Sequence, residues 1–205
     1  MKRLLLLLPL LALLAPSAGV AQHKGEWNAF ISVGPSIPIK PDEFWRYWNP
    51  GVNIGGGVGF GVSTVLRSLL SVRYHDYKLD SRSLEQALAG RGLAGSVSGG
   101  RLSDVTVMGH LKYVPWPGEQ YVQPYAIVGV GYMRREIREL TLVADGQQGT
   151  LRGRVENAFV ASIGVGAEIM VWEHASLFGE LGFASANTER ETQFLPYHFG
   201  IMVKL

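Results

Sequence analysis

Apolar and polar residues alternate with a period of two in eight separate runs of the chain, and this pattern predicts eight β-strands. The runs lie within residues 27–34, 53–63, 70–77, 105–113, 126–133, 159–169, 176–183 and 197–205. In the second run, NIGGGVGFGVS, residues Ile54, Val58 and Phe60 share one face and the glycines Gly57, Gly59 share the other. Each run therefore presents one apolar face and one face of small, polar or charged residues.

The composition of the second face decides which way the strands point. It is too rich in glycine and too poor in charge to cover a surface exposed to water. Apolar faces turned to lipid, with small and polar faces inside, are typical of outer-membrane barrels. An open sheet edge in hydrocarbon would leave backbone groups unpaired, so the strands have to close. The sequence predicts an all-β fold, an eight-stranded antiparallel up-and-down transmembrane β-barrel.

The connections between the runs alternate in length. Long connections at residues 40–50, 79–103 and 139–157 alternate with short ones at residues 66–68, 115–120 and 172–175, and residues 186–195 form a medium one. Short turns on the periplasmic side and long loops outside are typical of these barrels. Aromatic residues near the ends of the runs fit two interfacial girdles: Trp27, Tyr113, Trp116, Tyr121 and Trp172 on the periplasmic side, and Tyr74, Tyr132, Phe183 and Tyr197 on the other.

Two of the long connections carry local signals. Ser83 and Gln86 form a capping-box pattern, which predicts a short helix over residues 84–89 that ends at Gly90. The aromatic cluster FWRYW, residues 44–48, is interpreted as packing over the rim of the barrel, with partner binding as the alternative.

The first residues predict export. Lys2 and Arg3 precede an apolar segment, residues 4–14, and small residues lead to a cleavage point after Ala21. This is the pattern of a secretory signal peptide, residues 1–21, which leaves residues 22–205 as the barrel domain.

Composition narrows the function. Residues 1–21 hold two of the 19 basic residues and none of the 17 acidic ones, so residues 22–205 are formally neutral. A neutral domain offers no basic field for nucleic acid. The chain has no cysteine and therefore no disulfide, and residues 22–205 lack an apolar segment long enough for a transmembrane helix.

The alternation predicts specific partners inside the barrel. With a turn near His174, Glu168 and Glu180 lie opposite each other, and such a close pair of carboxylates needs cations. Arg73, Lys112 and Lys204 also point inward by parity. We therefore predict a luminal ion-pair network in the periplasmic half, interpreted as structural, with a proton-sensitive gate as the alternative.

The glycine run predicts a second packing scheme. With a turn near Arg67, Gly61 lies opposite Arg73, Gly59 opposite His75 and Gly57 opposite Tyr77, so small residues face large ones across a narrow interior. A phosphate-binding loop is excluded because more strand, not a helix, follows the glycines.

Several segments together resemble a known group. These are SVRYHDYKLD (71–80), LKYVPWPGEQYVQPYAIVGVGY (111–132), GVGAEIMVWEHASLFGELGF (164–183) and FLPYHFGIMVKL (194–205). They resemble the small outer-membrane β-barrel proteins of bacteria, with the architecture of the transmembrane domain of outer membrane protein A and a porin-like β-barrel domain. The resemblance covers residues 22–205. It implies residence in the lipid bilayer of the bacterial outer membrane.

The last strand also resembles the signal that the outer-membrane assembly machinery recognises. His198, Gly200, Val203 and Leu205 occupy its polar, glycine and hydrophobic positions. Leu205 departs from the commonest form of that signal, which ends in an aromatic residue. The resemblance thus implies the assembly machinery as a partner.

Catalytic motifs are lacking in the sequence. His75, His110 and His198 point inward, but single histidines in a polar interior more often form hydrogen bonds than bind metal, so we predict no metal and no cofactor. The expected function is a non-catalytic, structural or surface-binding role through the long loops, as a monomer with an unknown extracellular ligand. The alternatives are a small-solute pore, a lipid-modifying outer-membrane enzyme, and a soluble secreted barrel that binds an apolar ligand.

Overall fold

A computed structural model of the protein describes residues 25–90, 92, 95–116, 121–144 and 147–205. It is a closed barrel of eight antiparallel strands, which confirms the predicted fold. The predicted signal peptide, residues 1–21, lies outside the described residues and stays a prediction.

The chain forms eleven strands and two helices in the described residues. The strands are β1 Trp27–Lys40, β2 Gly51–Gly61, β3 Leu66–Lys78, β4 Gly95–Gly99, β5 Arg101–Tyr113, β6 Val122–Ile137, β7 Leu140–Ala144, β8 Gln147–Leu151, β9 Arg154–Trp172, β10 Ala175–Ala186 and β11 Thr192–Lys204; the helices are α1 Asp42–Tyr47 and α2 Ser81–Ala89. The barrel order is β1-β11-β10-β9-β6-β5-β3-β2, and β1 pairs with both β11 and β2 to close it.

The other elements lie in the long connections. β4, β7 and β8 form a separate three-stranded sheet in the order β4-β7-β8. Together with α1 and α2 this sheet is called the loop layer. Neither helix is long and apolar enough to cross a membrane.

Helix α2 begins earlier than its sequence pattern indicates. Asp80 is its N-cap, and the Asp80 carboxylate accepts hydrogen bonds from the Ser83 backbone N–H at 3.3 Å and the Ser83 hydroxyl at 2.7 Å. The predicted capping role of Ser83 was therefore wrong, because Ser83 lies in the first turn. Gly90 ends the helix as predicted.

Both ends of the described chain meet the short turns at one end of the barrel. The Gly25 N–H donates to the Gly61 carbonyl at 2.9 Å, and the Leu205 N–H donates to the Trp27 carbonyl at 2.9 Å. The Lys204 N–H bonds to His174 in the turn between β9 and β10. This end is called the short-turn end, and the opposite one, which carries the loop layer, the long-loop end.

The apolar faces point outward on the barrel strands, as predicted. Ile31, Val130 and Phe159 are 68%, 69% and 77% exposed, while the residues that flank each of them in sequence are buried or half-buried. Exposed apolar side chains of this kind occur on all eight barrel strands, and such a continuous belt is not compatible with a protein dissolved in water. The soluble secreted barrel is therefore the one alternative that the fold contradicts.

The register between β2 and β3 differs from the prediction. Gly61 pairs with Arg67 and Gly55 pairs with Arg73, so the predicted pairing of Gly61 with Arg73 was wrong. The turn is tight and lies earlier, at residues 62–65, where the Val62 N–H donates to the Leu66 carbonyl at 3.0 Å and the Leu66 N–H to the Ser63 hydroxyl at 3.1 Å. Arg67 consequently belongs to the strand.

The same shift separates the other predicted pairs. Gly59 lies opposite Leu69 and Gly57 opposite Ser71, so their predicted pairing with His75 and Tyr77 was also wrong. His75 pairs with Asn53 instead. Because the shift is an even number of residues, every side chain stays on its predicted face.

The register between β9 and β10 is displaced as well. Glu168 lies opposite Phe178, and Glu180 opposite Gly166, so the predicted pairing of the two glutamates was wrong. An irregularity between Ala175 and Ser176 shifts the ladder next to the turn. Both carboxylates still point inward, since Glu168 is buried and Glu180 bonds to the buried His198.

Candidate functional site

The interior of the barrel is filled by side chains. One apolar cluster comprises Phe30, Leu69, Val114, Tyr125, Ile127, Phe178 and Met202. A second comprises Phe44, Tyr77, Leu102, Met108, Met133, Ala158, Val160, Ala184, Ala186 and Phe194. Two cavities beside them measure only about 30 and 20 Å³. A cavity of that size holds one or two water molecules, so neither of these two cavities is wide enough to serve as a channel.

Glu168 is the acceptor of a buried cluster in the short-turn half. Its carboxylate forms ion pairs with the Lys112 ammonium and, at 3.2 Å, with the Arg67 guanidinium. The Lys112 nitrogen also lies 3.7 Å from the centre of the Tyr125 ring. Two buried cations therefore depend on one carboxylate. The structure brings together the predicted Lys112 and Glu168, and it adds Arg67, which lies where the sequence predicts a turn.

Glu180 belongs to a different set of contacts. It accepts hydrogen bonds from the Tyr125 hydroxyl at 3.1 Å and from His198 Nδ1 at 3.0 Å. Arg73 is buried and points inward as predicted, where it donates to the Ser32 hydroxyl at 2.7 Å. The two glutamates thus have separate partners and do not share their cations as predicted.

Lys204 does not join either set. Its side chain is 31% exposed at the short-turn end and lies 3.8 Å from the Glu26 carboxylate. Its predicted place in the network was wrong, because the last residues of β11 extend past the buried part of the interior.

A further buried ion pair lies in the long-loop half and was not predicted from the sequence. Arg135 donates two hydrogen bonds of 2.7 Å to Asp104 and a third of 2.7 Å to the Thr192 hydroxyl. The predicted alternating runs begin at Val105 on β5 and end at Met133 on β6. Continuing the same parity by one more inward position on each strand would have found both residues.

The aromatic cluster at residues 44–48 has one side chain buried at the mouth of the barrel and another exposed to solvent. Phe44 on α1 is buried at the mouth, 4.9 Å from the Tyr77 ring and 5.1 Å from the Arg135 guanidinium carbon. Trp45 is 62% exposed. The predicted packing over the rim is confirmed for Phe44. The Glu43–Arg190 ion pair, at 2.7 Å, ties α1 to the β10–β11 connection.

The three inward histidines line one of the small cavities, together with Thr106. Each has its own partner: His198 the Glu180 carboxylate, His110 the Ser71 hydroxyl at 2.9 Å, and His75 the Ser36 hydroxyl at 3.3 Å. Among the described residues, no three histidine, aspartate or glutamate side chains cluster in a way that could hold a metal ion.

The Ser71–His110 and Ser36–His75 contacts are serine–histidine pairs that the sequence did not reveal. In a hydrolase the histidine of such a pair is oriented by an acid. Within the described part of the chain, His110 Nδ1 has no hydrogen-bond partner. Both pairs also lie inside a filled barrel, away from the surface that a lipid substrate would reach.

The inward glycines do face large side chains, although not the predicted ones. A Cβ on Gly55 would lie 2.5 Å from Arg73 Cγ, and one on Gly59 would lie 2.5 Å from Leu69 Cδ2. A Cβ on Gly57 would lie 2.8 Å from Phe30 Cζ. Small-against-large packing therefore holds. Tyr77 fits beside Gly51, where an added Cβ would lie 2.6 Å from its ring.

Comparison with known proteins shows likeness in fold. No protein-family model matches the chain, and no curated protein matches it in sequence. A major outer membrane protein from Thermus thermophilus is similar with a TM-score of 0.55 and 13% identity, over 89% of this chain and 100% of that one. Ail, the attachment invasion locus protein of Yersinia pestis, gives 0.51 and 12%, over 89% and 99%.

The outer membrane protein OprG from Pseudomonas aeruginosa gives a TM-score of 0.50 and 16% identity, over 90% of this chain and 97% of that one. These barrels are matched along nearly their whole length. The chain has the fold of the small outer-membrane β-barrel proteins.

Proposed function

We propose that the protein is a non-catalytic barrel of the bacterial outer membrane that anchors the loop layer at the cell surface, where the loop layer binds an extracellular partner. The observation that carries this proposal is the contrast between the two parts of the molecule. The barrel interior is packed and ion-paired, whereas folded elements stand on its long-loop end.

The filled interior supports an anchoring role. A barrel of eight strands is just wide enough for side chains to fill it. Here the buried Arg67–Glu168 ion pair joins β3 to β9 across the interior, since these two strands are not neighbours in the barrel. Contacts of this kind stabilise the barrel and occupy space that a solute would need, which supports an anchoring role.

The long-loop end supports a binding role. Trp45 and Leu151 expose large apolar side chains there, at 62% and 64%. A pocket of about 380 Å³ opens at the mouth, lined in part by Phe44, Trp48 and Arg135. Exposed aromatic residues beside a mixed polar and apolar pocket are common in binding surfaces.

Removing part of the loop layer tests the proposal. We would replace residues 140–151 by a short turn, display wild type and variant on cells, and measure capture on an array of purified extracellular proteins and saccharides. We expect wild-type cells to bind at least one array member and the variant to lose that binding. Heat-modifiable gel mobility would check that the variant barrel still folds. Equal binding by both proteins would contradict the proposal.

A small-solute pore is the first alternative. The small volumes of the interior cavities do not favour a pore. Recordings in planar bilayers would distinguish a pore from the proposed anchor. The proposed anchor gives no steady conductance above the bare bilayer. Stepwise single-channel currents from the purified protein would favour the pore.

A lipid-modifying enzyme is the second alternative, favoured only by the Ser71–His110 contact. Incubation with labelled phospholipids and lipid extraction would test it. We expect no product from the wild-type protein. A product that disappears in Ser71→Ala would overturn the non-catalytic assignment.

A further inference from the structure

The outward face of the barrel carries a wide, open groove, which we call the outer groove. It has a volume of about 690 Å³ and is lined by Val107, Val130, Tyr132, Phe159 and Ala161. The small Ala161 lies between large neighbours, and the Tyr132 and Phe159 rings meet edge to face with centroids 6.2 Å apart. This volume falls within the range of about 300–1,000 Å³ that is typical of ligand sites.

A row of basic residues lies above the outer groove, toward the long-loop end. On β6, Arg134 follows Tyr132 on the same outward face, which places it about 7 Å further along the strand. Lys78 pairs with Arg101, and the Arg138 N–H donates to the Arg101 carbonyl at 2.8 Å, so these three residues cross β3, β5 and the end of β6 in one row. Lys78, Arg101, Arg134 and Arg138 are called the basic rim.

Acidic neighbours neutralise only part of the basic rim. Asp76 accepts two hydrogen bonds from Arg101, at 2.5 and 3.0 Å, and Glu136 lies 3.9 Å from Arg138. Within the described residues, the exposed side chains of Arg134 and Lys78 are in no ion pair or hydrogen bond. With the exposed Glu139, which follows Arg138, four cations face three carboxylates, so positive charge is still in excess.

The side of the outer groove next to β10 is polar and acidic instead of basic. Ser185, Asn187 and Glu191 line it there, without a basic residue among the lining side chains. An anionic headgroup would therefore be drawn toward β6 and away from Glu191. The charge distribution therefore favours an anionic ligand and also fixes the side of the outer groove on which its charged group lies.

We propose that the outer groove and the basic rim together bind one phosphate-bearing membrane lipid, from the leaflet at the long-loop end. Its acyl chain lies in the outer groove and its phosphate contacts Arg134, with the rest of the basic rim available to further anionic groups. Guanidinium groups bind phosphate oxygens through paired hydrogen bonds, and these contacts are strongest where water is partly excluded. The proposal rests on the proposed membrane location.

Native mass spectrometry of the full chain, folded in detergent, tests the lipid site. The probes are dimyristoyl phosphatidic acid, dimyristoyl phosphatidylcholine and inorganic phosphate. We expect one phosphatidic acid molecule to be retained at about tenfold lower concentration than phosphatidylcholine. Inorganic phosphate, which has no acyl chain, should not be retained.

Three variants separate the parts of the site. Arg134→Gln with Arg138→Gln should abolish the preference for phosphatidic acid, and Ala161→Trp, which fills the outer groove, should lower retention of both lipids. The matched control is Lys40→Gln with Lys204→Gln, which removes two basic residues outside the outer groove, the basic rim and the loop layer and should leave the retention of both lipids unchanged.

Several results would overturn this inference. Equal retention of both lipids by the wild type, an unchanged preference in the Arg134 and Arg138 variant, or occupation of the outer groove by a second copy of the chain would each do so. Insertion into phosphatidylcholine vesicles, followed by heat-modifiable mobility, tests the membrane location separately. Insertion without lipid preference rejects the lipid site alone, whereas failure to insert rejects the proposed function.

Discussion

Glu168 shows at the scale of one residue how the interior depends on its charges. Lys112 and Arg67 are both buried, and both contact this carboxylate. We expect Glu168→Gln to lower the free energy of unfolding by about 3–5 kcal/mol, because it leaves two buried cations without a counter-charge. Urea unfolding in lipid vesicles measures the effect.

Glu189 supplies the matched control for that substitution. It pairs with Arg154 at 2.9 Å, but both side chains are largely exposed. Exposed pairs contribute little, so Glu189→Gln should leave the urea midpoint nearly unchanged. Equal effects of the two substitutions would show that the Glu168 cluster does not stabilise the barrel.

The inward glycines allow a second prediction at this scale. In Gly55→Ala the added Cβ meets Arg73 Cγ at 2.5 Å, so we expect a loss of about 1–3 kcal/mol in the free energy of unfolding. Gly179→Ala is the control, since its nearest neighbour would be 3.6 Å away, an ordinary contact. If both variants unfold at the same urea concentration, close packing at Gly55 is not important for stability.

The sequence predicts whether a side chain points into the barrel or outward, but it does not predict which side chains contact each other inside. Parity placed Arg73, Lys112, Glu168 and Glu180 inside. It could not reveal that Glu180 bonds to Tyr125 and His198, because those contacts depend on which strands are neighbours and on side-chain length. Asp104 and Arg135 were within reach of the same rule, had the runs been extended.

At the scale of elements, the register depends on the turns. The β2–β3 turn was expected near Arg67, where charge breaks the apolar pattern, but the Ser63 hydroxyl caps a tighter turn that closes before Arg67. A strand pattern of period two carries no information on where a turn closes. Turn chemistry would have been the better guide.

Cysteine cross-linking tests that register, and the chain has no cysteine of its own to interfere. Val58 and Leu70 are opposite each other on the outer face, so Val58→Cys with Leu70→Cys should form a disulfide on mild oxidation. Val58→Cys with Asp76→Cys, which matches the register expected from sequence, should stay reduced. Thiol labelling of the denatured proteins measures the free cysteines in both variants. A disulfide in the Val58 and Asp76 variant, with free thiols in the Val58 and Leu70 variant, would reject the observed register.

Helix α2 gives a pH prediction in the loop layer. Hydrogen bonds from the Ser83 hydroxyl and backbone N–H lower the pKa of Asp80. A depressed folded pKa means that the stabilisation is present above the unfolded pKa, about 3.9, and is lost as the pH falls through the folded value. The first turn should fray below about pH 4.

Carbon chemical shifts of residues 81–84 would follow this transition. Asp80→Asn should remove the pH dependence and keep the helix, because asparagine is also a good N-cap. Fraying at the same pH in Asp80→Asn would show that another group is responsible.

At the scale of the whole molecule, the barrel could be predicted and the loop layer could not. Eight alternating runs, together with the need to satisfy the backbone in lipid, leave closure as the outcome. β4 and β7 are short, and they pair although all of β5 and β6 lies between them in the chain. Neither strand has an alternation long enough to stand out in the sequence.

The central claim is that a closed, filled barrel turns its apolar face to lipid. Spin labels placed singly at residues 68–73 of the protein in lipid vesicles test it most directly. We expect labels at Leu70 and Val72 to be accessible to oxygen dissolved in lipid, and labels at Leu69, Ser71 and Arg73 to be immobile and shielded from a water-soluble nickel reagent. A reversed alternation, or free access of the nickel reagent to the inward positions, would contradict the account.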